Sequence, residues 1–331
     1  MPLLSVADYE TAQRVVYAAM PPTPQYAWPL LARRVGAEVW VKHENHTPTG
    51  AFKVRGGLVY MDRLKRERPQ VKGVISATRG NHGQSVAFAA ARNGVKAVIL
   101  VPHGNSVEKN AAMRAFGAEL IEHGHDFDAA REEAARIAPA RGLEMLPSFH
   151  LDLVRGVGTY AIELLRAAPD LDTIYAPIGL GSGICGLITA RDALGLKTRI
   201  VGCVSTNAPA YALSFAAKTP IETNSADTFA DGVAVRVPSA EALDIMLGGA
   251  ERIVQVSDAE VEEAMRAYYS DTHQLAEGAG AVPLAALLRE RARMQGRKVA
   301  VILSGGNIDR PVYARIIARD SSMTAPTPDR S

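Results

Sequence analysis

Thr49-Gly-Ala-Phe-Lys-Val-Arg-Gly-Gly57 sets one lysine, Lys53, between an aromatic and a β-branched residue, with glycines on both sides. It follows a strand-like run, Ala37-Glu-Val-Trp-Val-Lys42, and a polar turn from His43 to Pro48. An exposed lysine is a hydrated ammonium with no chemistry of its own. In an apolar, partly closed site the ammonium loses hydration, and the neutral amine becomes accessible near neutral pH. A neutral amine can form a Schiff base with an aldehyde. Most lysines beside a phenylalanine are surface residues, so the stretch gains meaning from three loops further along.

The first is Ser76-Ala-Thr-Arg-Gly-Asn-His-Gly-Gln84, between a strand and an Ala-rich helix that stops at Asn93-Gly94. Gly80 and Gly83 let backbone approach a ligand, and free N–H groups at a helix start favour a carboxylate or phosphate. The plainer reading is a helix cap with Asn81 as the capping residue. The second loop, Ala176-Pro-Ile-Gly-Leu-Gly-Ser-Gly-Ile-Cys-Gly186, again joins a strand to a helix, and its Gly181–Gly186 part matches GxGxxG. A dinucleotide site also wants an acid at the end of the next strand. That region reads Gly202-Cys-Val-Ser-Thr-Asn207, with no acid. A single phosphate cradled by turn N–H groups remains satisfied. The third loop, Val301-Ile-Leu-Ser-Gly-Gly-Asn-Ile-Asp309, is an apolar strand ending in Ser304 and two glycines. A hydroxyl there can hydrogen-bond an aromatic ring nitrogen; a lone SGGN is more often just a turn.

Working outward, short β-branched runs alternate with longer helical patterns. Strands are expected at 38–42, 73–77, 97–101, 119–122, 173–177, 199–204, 252–256 and 298–303. Helices are expected up to Tyr17 and over 82–92, 108–116, 126–137, 156–167 and 258–269, with Met20–Pro24 an extended connector. Such alternation argues for an α/β protein with parallel sheets covered on both faces. A break near Pro147–Asp152 divides the chain into a small unit, 50–146, and a large cofactor-binding unit, 1–49 plus 147–320. Residues 321–331, rich in Ser, Thr and Pro, are expected to be disordered.

Composition narrows the partners. The 331 residues carry a formal net charge of +2, from 37 Lys+Arg and 35 Asp+Glu. No basic run points to nucleic acid. No apolar run reaches the roughly 18 residues of a membrane helix. The N-terminus lacks the basic and apolar regions of a signal peptide, and Cys185 and Cys203 read as buried reduced thiols. A cytoplasmic protein is expected.

A lysine, an anion-binding helix start, a phosphate turn and a strand-end serine together suit pyridoxal 5′-phosphate. TGAFKVRGG, GNHGQ, the Gly-rich turn, Phe229-Ala-Asp-Gly-Val-Ala-Val235 and SGGN stand in the order of the fold-type II pyridoxal-phosphate enzymes. The chain resembles their threonine dehydratase and serine racemase group over nearly its whole length. The resemblance implies a two-domain α/β fold rich in parallel sheet, and a homodimer. It implies Lys53 as the Schiff-base lysine and, once the substrate amine displaces it, the base that removes the Cα proton. Phe52 would pack against the cofactor and Asn81 would hydrogen-bond its 3′-oxygen. Gly179, Leu180, Gly181, Ser182 and Gly183 would hold the phosphate, with Leu180 and Ser182 in place of glycines often found there. Gly232 and Glu277 would border the cofactor, Glu277 having a capping or solvent carboxylate as its plainer reading. Ser304 would face the pyridine nitrogen, leaving a weaker electron sink than a carboxylate partner would. Thr78, Arg79, Gly80, Asn81 and His82 would bind the substrate carboxylate, with Phe149 as apolar wall.

Two departures from the family carry information. The racemases place a serine just before GNHG as an opposite-face base; here it is Arg79, which stays protonated and argues against racemisation. The segment matching a family metal site, 201–211, has no acid, so no metal is expected. The expected activity is removal of water from a β-hydroxy-α-amino acid, giving a 2-oxo acid and ammonia. Arg79 over an aromatic ring would suit phenylserine, the expected substrate; threonine or serine, or 3-hydroxyaspartate paired to Arg79, are the alternatives. A surface arginine turned to solvent is the bland reading. An amino-acid racemase, a nicotinamide-dependent dehydrogenase, a β-replacement synthase and a non-catalytic binding module stand further off.

Overall fold

All eight expected strands form within a residue of their expected ends, and two short ones join them in the computed structural model, which describes residues 3–319. In chain order they are β1 (Gln25–Ala27), β2 (Glu38–His43), β3 (Gly73–Ala77), β4 (Lys96–Val101) and β5 (Glu119–Glu122). There follow β6 (Glu144–Met145), β7 (Thr173–Pro177), β8 (Arg199–Ser205), β9 (Arg252–Val256) and β10 (Lys298–Leu303). One sheet has the order β1-β2-β10-β7-β8-β9, and the other β5-β4-β3-β6. Every pairing is parallel except β1 with β2, where Gln25 faces Lys42. With that one antiparallel edge, both sheets remain rich in parallel pairing, as expected. The link through the short Pro29–Val35 helix is not long enough for a parallel crossover. The tail expected to be disordered lies outside the described residues.

Side-chain alternation along the strands fills both faces of each sheet. In the larger sheet Val39, Val41, Val299 and Val301 point to one side, while Ile174, Ala176, Ala300 and Ile302 point to the other. The smaller sheet splits Val74, Ile99 and Val101 from Ile75, Val98 and Leu100 in the same way. Two covered faces explain why these strands read as continuous apolar runs. Cys185 and Cys203 are free and buried in this packing. Among the described residues no helix is long and apolar enough to cross a membrane.

Helices also form outside the stretches expected, and in two places glycine is the reason for the difference. Lys53 opens a helix, Lys53–Glu67, that runs through Gly56 and Gly57. The helix expected from Gly156 begins instead at Leu151, where the His150 imidazole caps it by accepting from the Asp152 amide at 3.1 Å. These glycines are not breakers but crossing points. A Cβ on Gly156 would press on the carbonyl of Arg55 and sit 2.8 Å from Gly56 Cα. On the other side of the same helix, a Cβ on Gly186 of the Ser182–Ala193 helix would lie 2.9 Å from the Gly158 amide. Three helices thus touch backbone to backbone.

Beside that crossing, Arg55 and Lys42 are sealed from water with two carboxylates. Arg55 Nε donates to Glu44 at 2.8 Å and its Nη1 to Glu163 at 2.6 Å, while Lys42 Nζ donates to Glu163 at 2.5 Å. Thr23 and Thr159 hydroxyls accept the remaining guanidinium hydrogens at 3.1 and 3.0 Å. Removing one partner strands a buried charge, which costs about 3–5 kcal/mol. Arg55→Met is therefore expected to lower the unfolding free energy by about that amount. Denaturant titration measures it, and a change inside experimental error would show the network to be dispensable.

Candidate active site

The stretch carrying Lys53 is zipped to the loop after β10. Phe52 N donates to Ser304 O at 3.0 Å and Gly306 N to Gly50 O at 2.9 Å, around an antiparallel bridge of Ala51 with Gly305. Asn307 Nδ2 adds a bond to Thr49 O at 2.8 Å. Gly50 has φ +66°, and a Cβ there would lie 2.5 Å from Asn307 Oδ1, so only glycine fits. Lys53 then opens its helix with Nζ 5.6 Å from the Phe52 ring centre.

Lys53 lines a cleft of about 590 Å³ together with Thr78, Arg79, Gly80, Asn81, His82, Phe149, Leu180 and Gly232. Desolvation pushes its ammonium below the usual lysine range, although Glu277 and Asp231 pull the other way. The remaining expected residues sit just behind. Gly179 packs on the carbonyl of Gly232, and the Phe52 ring is 3.5 Å from where a Gly183 Cβ would stand. Tyr160 OH donates to Gly183 O at 3.0 Å and steadies the turn. Gly181 takes φ +104° before the Ser182–Ala193 helix. Among the described residues, the amides from Gly179 to Ile184 find no backbone acceptor, whereas Ile178 on one side and Cys185 on the other both do. Ser304 is 3% exposed and supports Phe52 through its carbonyl.

The turn after β3 differs from the plain cap reading. Gly80, not Asn81, takes the N-cap position of the Asn81–Arg92 helix. The Asn81 side chain instead donates from Nδ2 to Glu277 Oε1 at 2.6 Å and accepts from Asn307 Nδ2 at 2.9 Å. Glu277 stands at the N-cap of the Gly278–Arg289 helix but makes no capping bond, and it is 2% exposed. Burial pushes its carboxyl up to about 7, with Lys109 opposing. His82 is pushed down to about 3 by desolvation and by Lys53, so it is a neutral imidazole. Its Nε2 is shielded from water without a partner. Arg79 lies exposed on the cleft wall and has no carboxylate partner among the described residues.

Sequence reasoning missed Lys109, whose Nζ donates to Asp231 Oδ2 at 2.5 Å inside the same cleft. It also missed Asp128, held on that wall by Arg236 at 2.5 Å and Arg131 at 3.2 Å. Asp231 and Asn307 lay inside quoted motifs without a role. Lys109 carries no local signal because its partners are distant in the chain, and for Asp128 the neighbouring Arg131 reads as an ordinary helix-surface pair.

A family model described as "Pyridoxal-phosphate dependent enzyme" matches residues 16–305. The chain belongs to that family. Among its relatives, an L-threonine ammonia-lyase of Geobacter sulfurreducens is 37% identical over 289 residues, 87% of this chain and 72% of the relative. The processed form of threonine deaminase isoform 2 from Solanum lycopersicum superposes with a TM-score of 0.85 at 27% identity, covering 95% of this chain and 93% of that one. Maize serine racemase gives a TM-score of 0.88 at 27% identity, over 94% and 96% of the two chains. The protein is a fold-type II pyridoxal-phosphate-dependent lyase.

The residues present fit the cofactor. A depressed lysine amine, an aromatic ring beside it and a run of unpartnered amides at a helix start match an aldehyde, a ring and a phosphate. Pyridoxal 5′-phosphate, when bound, supplies the aldehyde and a conjugated ring that accepts electron density from the substrate. Lys53→Ala is expected to lose the visible absorption of the lysine-linked cofactor and to lower kcat at least about 10²-fold. Absorption spectra and ammonia release check this, and full turnover by the variant would exclude Lys53.

Proposed function

We propose that this pyridoxal-phosphate lyase dehydrates L-threonine or L-serine, giving a 2-oxo acid and ammonia. The observation that carries the reading is the desolvated Lys53 amine in a cleft whose relatives include threonine ammonia-lyases. Phenylserine, the substrate first expected from Arg79, has no such support, and Arg79 is exposed to solvent.

The roles follow from the chemistry of each group. The amides at the start of the Asn81–Arg92 helix receive the substrate carboxylate, where the helix dipole adds to their hydrogen bonds. Thr78 Oγ1 accepts from the Gly80 amide at 3.0 Å and fixes that turn. His82, uncharged, meets the substrate without adding a second cation. Lys53 Nζ takes the Cα proton, the Cβ–O bond breaks, and the hydroxyl leaves as water with a proton drawn from the cleft. The released enamine takes up water to give the oxo acid and ammonia. Asn81 and the 179–183 turn would hold the cofactor oxygens, and Ser304 would face the ring nitrogen as a hydroxyl, which suits fast elimination. Arg79 stays protonated, so no base stands at that position for racemisation.

A second reading has one specific support. Arg131 and Arg236 both pair with Asp128, whereas Arg79 has no carboxylate partner among the described residues. A substrate with a second carboxylate, 3-hydroxyaspartate, would supply one. Ammonia release across threonine, serine, 3-hydroxyaspartate and phenylserine separates these. Threonine is expected to exceed phenylserine at least about tenfold in kcat/KM. Arg79→Ala is expected to spare threonine; a preference for 3-hydroxyaspartate that this change removes would favour the second reading.

A further inference from the structure

Lys109 takes no part in the steps above, yet it is among the most buried lysines of the chain. It belongs to the Val107–Ala115 helix beside the smaller sheet, and its side chain is 6% exposed. Its ammonium reaches across to Asp231, in the turn Asp231–Val233, at 2.5 Å. It also stands 3.6 Å from Glu277 Oε2. One cation is thus shared, unequally, by two carboxylates from the other side of the cleft. Glu277 Oε1 holds the Asn81 amide, while Oε2 is buried with no hydrogen-bond partner.

We propose that Lys109 is a positioning residue that, through Glu277, sets which way the Asn81 carboxamide faces the cofactor. An ionised carboxylate can only accept hydrogen bonds. It therefore keeps Asn81 Nδ2 towards itself, leaves Oδ1 to Asn307, and frees the second Nδ2 hydrogen to donate into the cleft. A protonated Glu277 can donate, competes for Oδ1, and lets the amide turn over. Lys109 favours the ionised form by proximity. Asp231 opposes it twice, by its own charge and by drawing the ammonium away. Lys53 also faces Glu277, and Asp309 is a further carboxylate facing Lys109. Burial places the Glu277 carboxyl at about 7, so the switch falls near neutral pH. This holds for the bound cofactor whichever hydroxy amino acid is the substrate.

The test is a pH titration of the holoenzyme's visible spectrum, with substrate absent. Wild type is expected to show a transition near neutral pH, which Glu277→Gln removes. Lys109→Met should raise its midpoint by about one unit or more. Asp231→Asn should lower it, and Lys109→Arg should restore it. Should Lys109→Met fail to fold or to hold cofactor, the opposite-signed Asp231→Asn shift decides. Unmoved midpoints, shifts in one common direction, or a transition that survives Glu277→Gln would each overturn the proposal. A purely structural Lys109 would lower Tm and leave the midpoint in place.

Discussion

Two cations and two carboxylates sealed in the interior fix the helix that presents the reactive lysine. Arg55 follows Lys53 by two positions and engages Glu44, at the end of β2, and Glu163, on the Leu151–Ala167 helix. Taking four charges out of water is costly, and their mutual attraction does little more than offset that cost. An apolar replacement of equal volume could hold the helix as firmly. It could not hold it at one rotation, because apolar contacts have no direction. The guanidinium fork does, since it bonds its carboxylates and hydroxyls from a fixed plane. The direction of the Lys53 side chain is thus inherited from a neighbour that never meets the substrate.

The cleft keeps its charges in near balance without leaving them equivalent. Desolvation favours neutral forms of Lys53, His82 and Glu277 alike. Lys109 resists the same pressure because Asp231 bonds it directly, and its ammonium is held above the usual range. The site therefore offers a neutral imidazole, an amine within reach of deprotonation, and a second lysine that stays charged. Groups of one kind acquire different duties from their surroundings alone.

Much of this was legible in the chain. Strands buried on both faces announce themselves as apolar, β-branched runs, so β3, β7 and β10 were found to the residue, and β5 and β9, less buried, were found too. β1 and β6, of three and two residues, are too short to leave a pattern. The Lys53–Glu67 helix was hidden by Gly56 and Gly57, whose meaning is set by what packs on them. Lys53, the Thr78–His82 turn, Phe149, Leu180 and Gly232 do share one cleft. Lys109 stayed invisible because its partners lie at 231 and 277, and nothing local distinguishes it from a surface lysine. Glu277 was noticed, but its burial and its bond to Asn81 needed the folded chain.

The glycine crossings have a consequence for tolerance. One helix separates the Lys53 helix from the Ser182 helix, and on both its sides main chain rests on main chain. The gap between the amine and the anion-receiving turn is therefore a gauge cut in polypeptide, with no rotamer able to alter it. Chemistry of this kind accepts errors of only about half an ångström. A single methyl at position 156 or 186 would act as a shim, widening that gauge from a place no ligand touches.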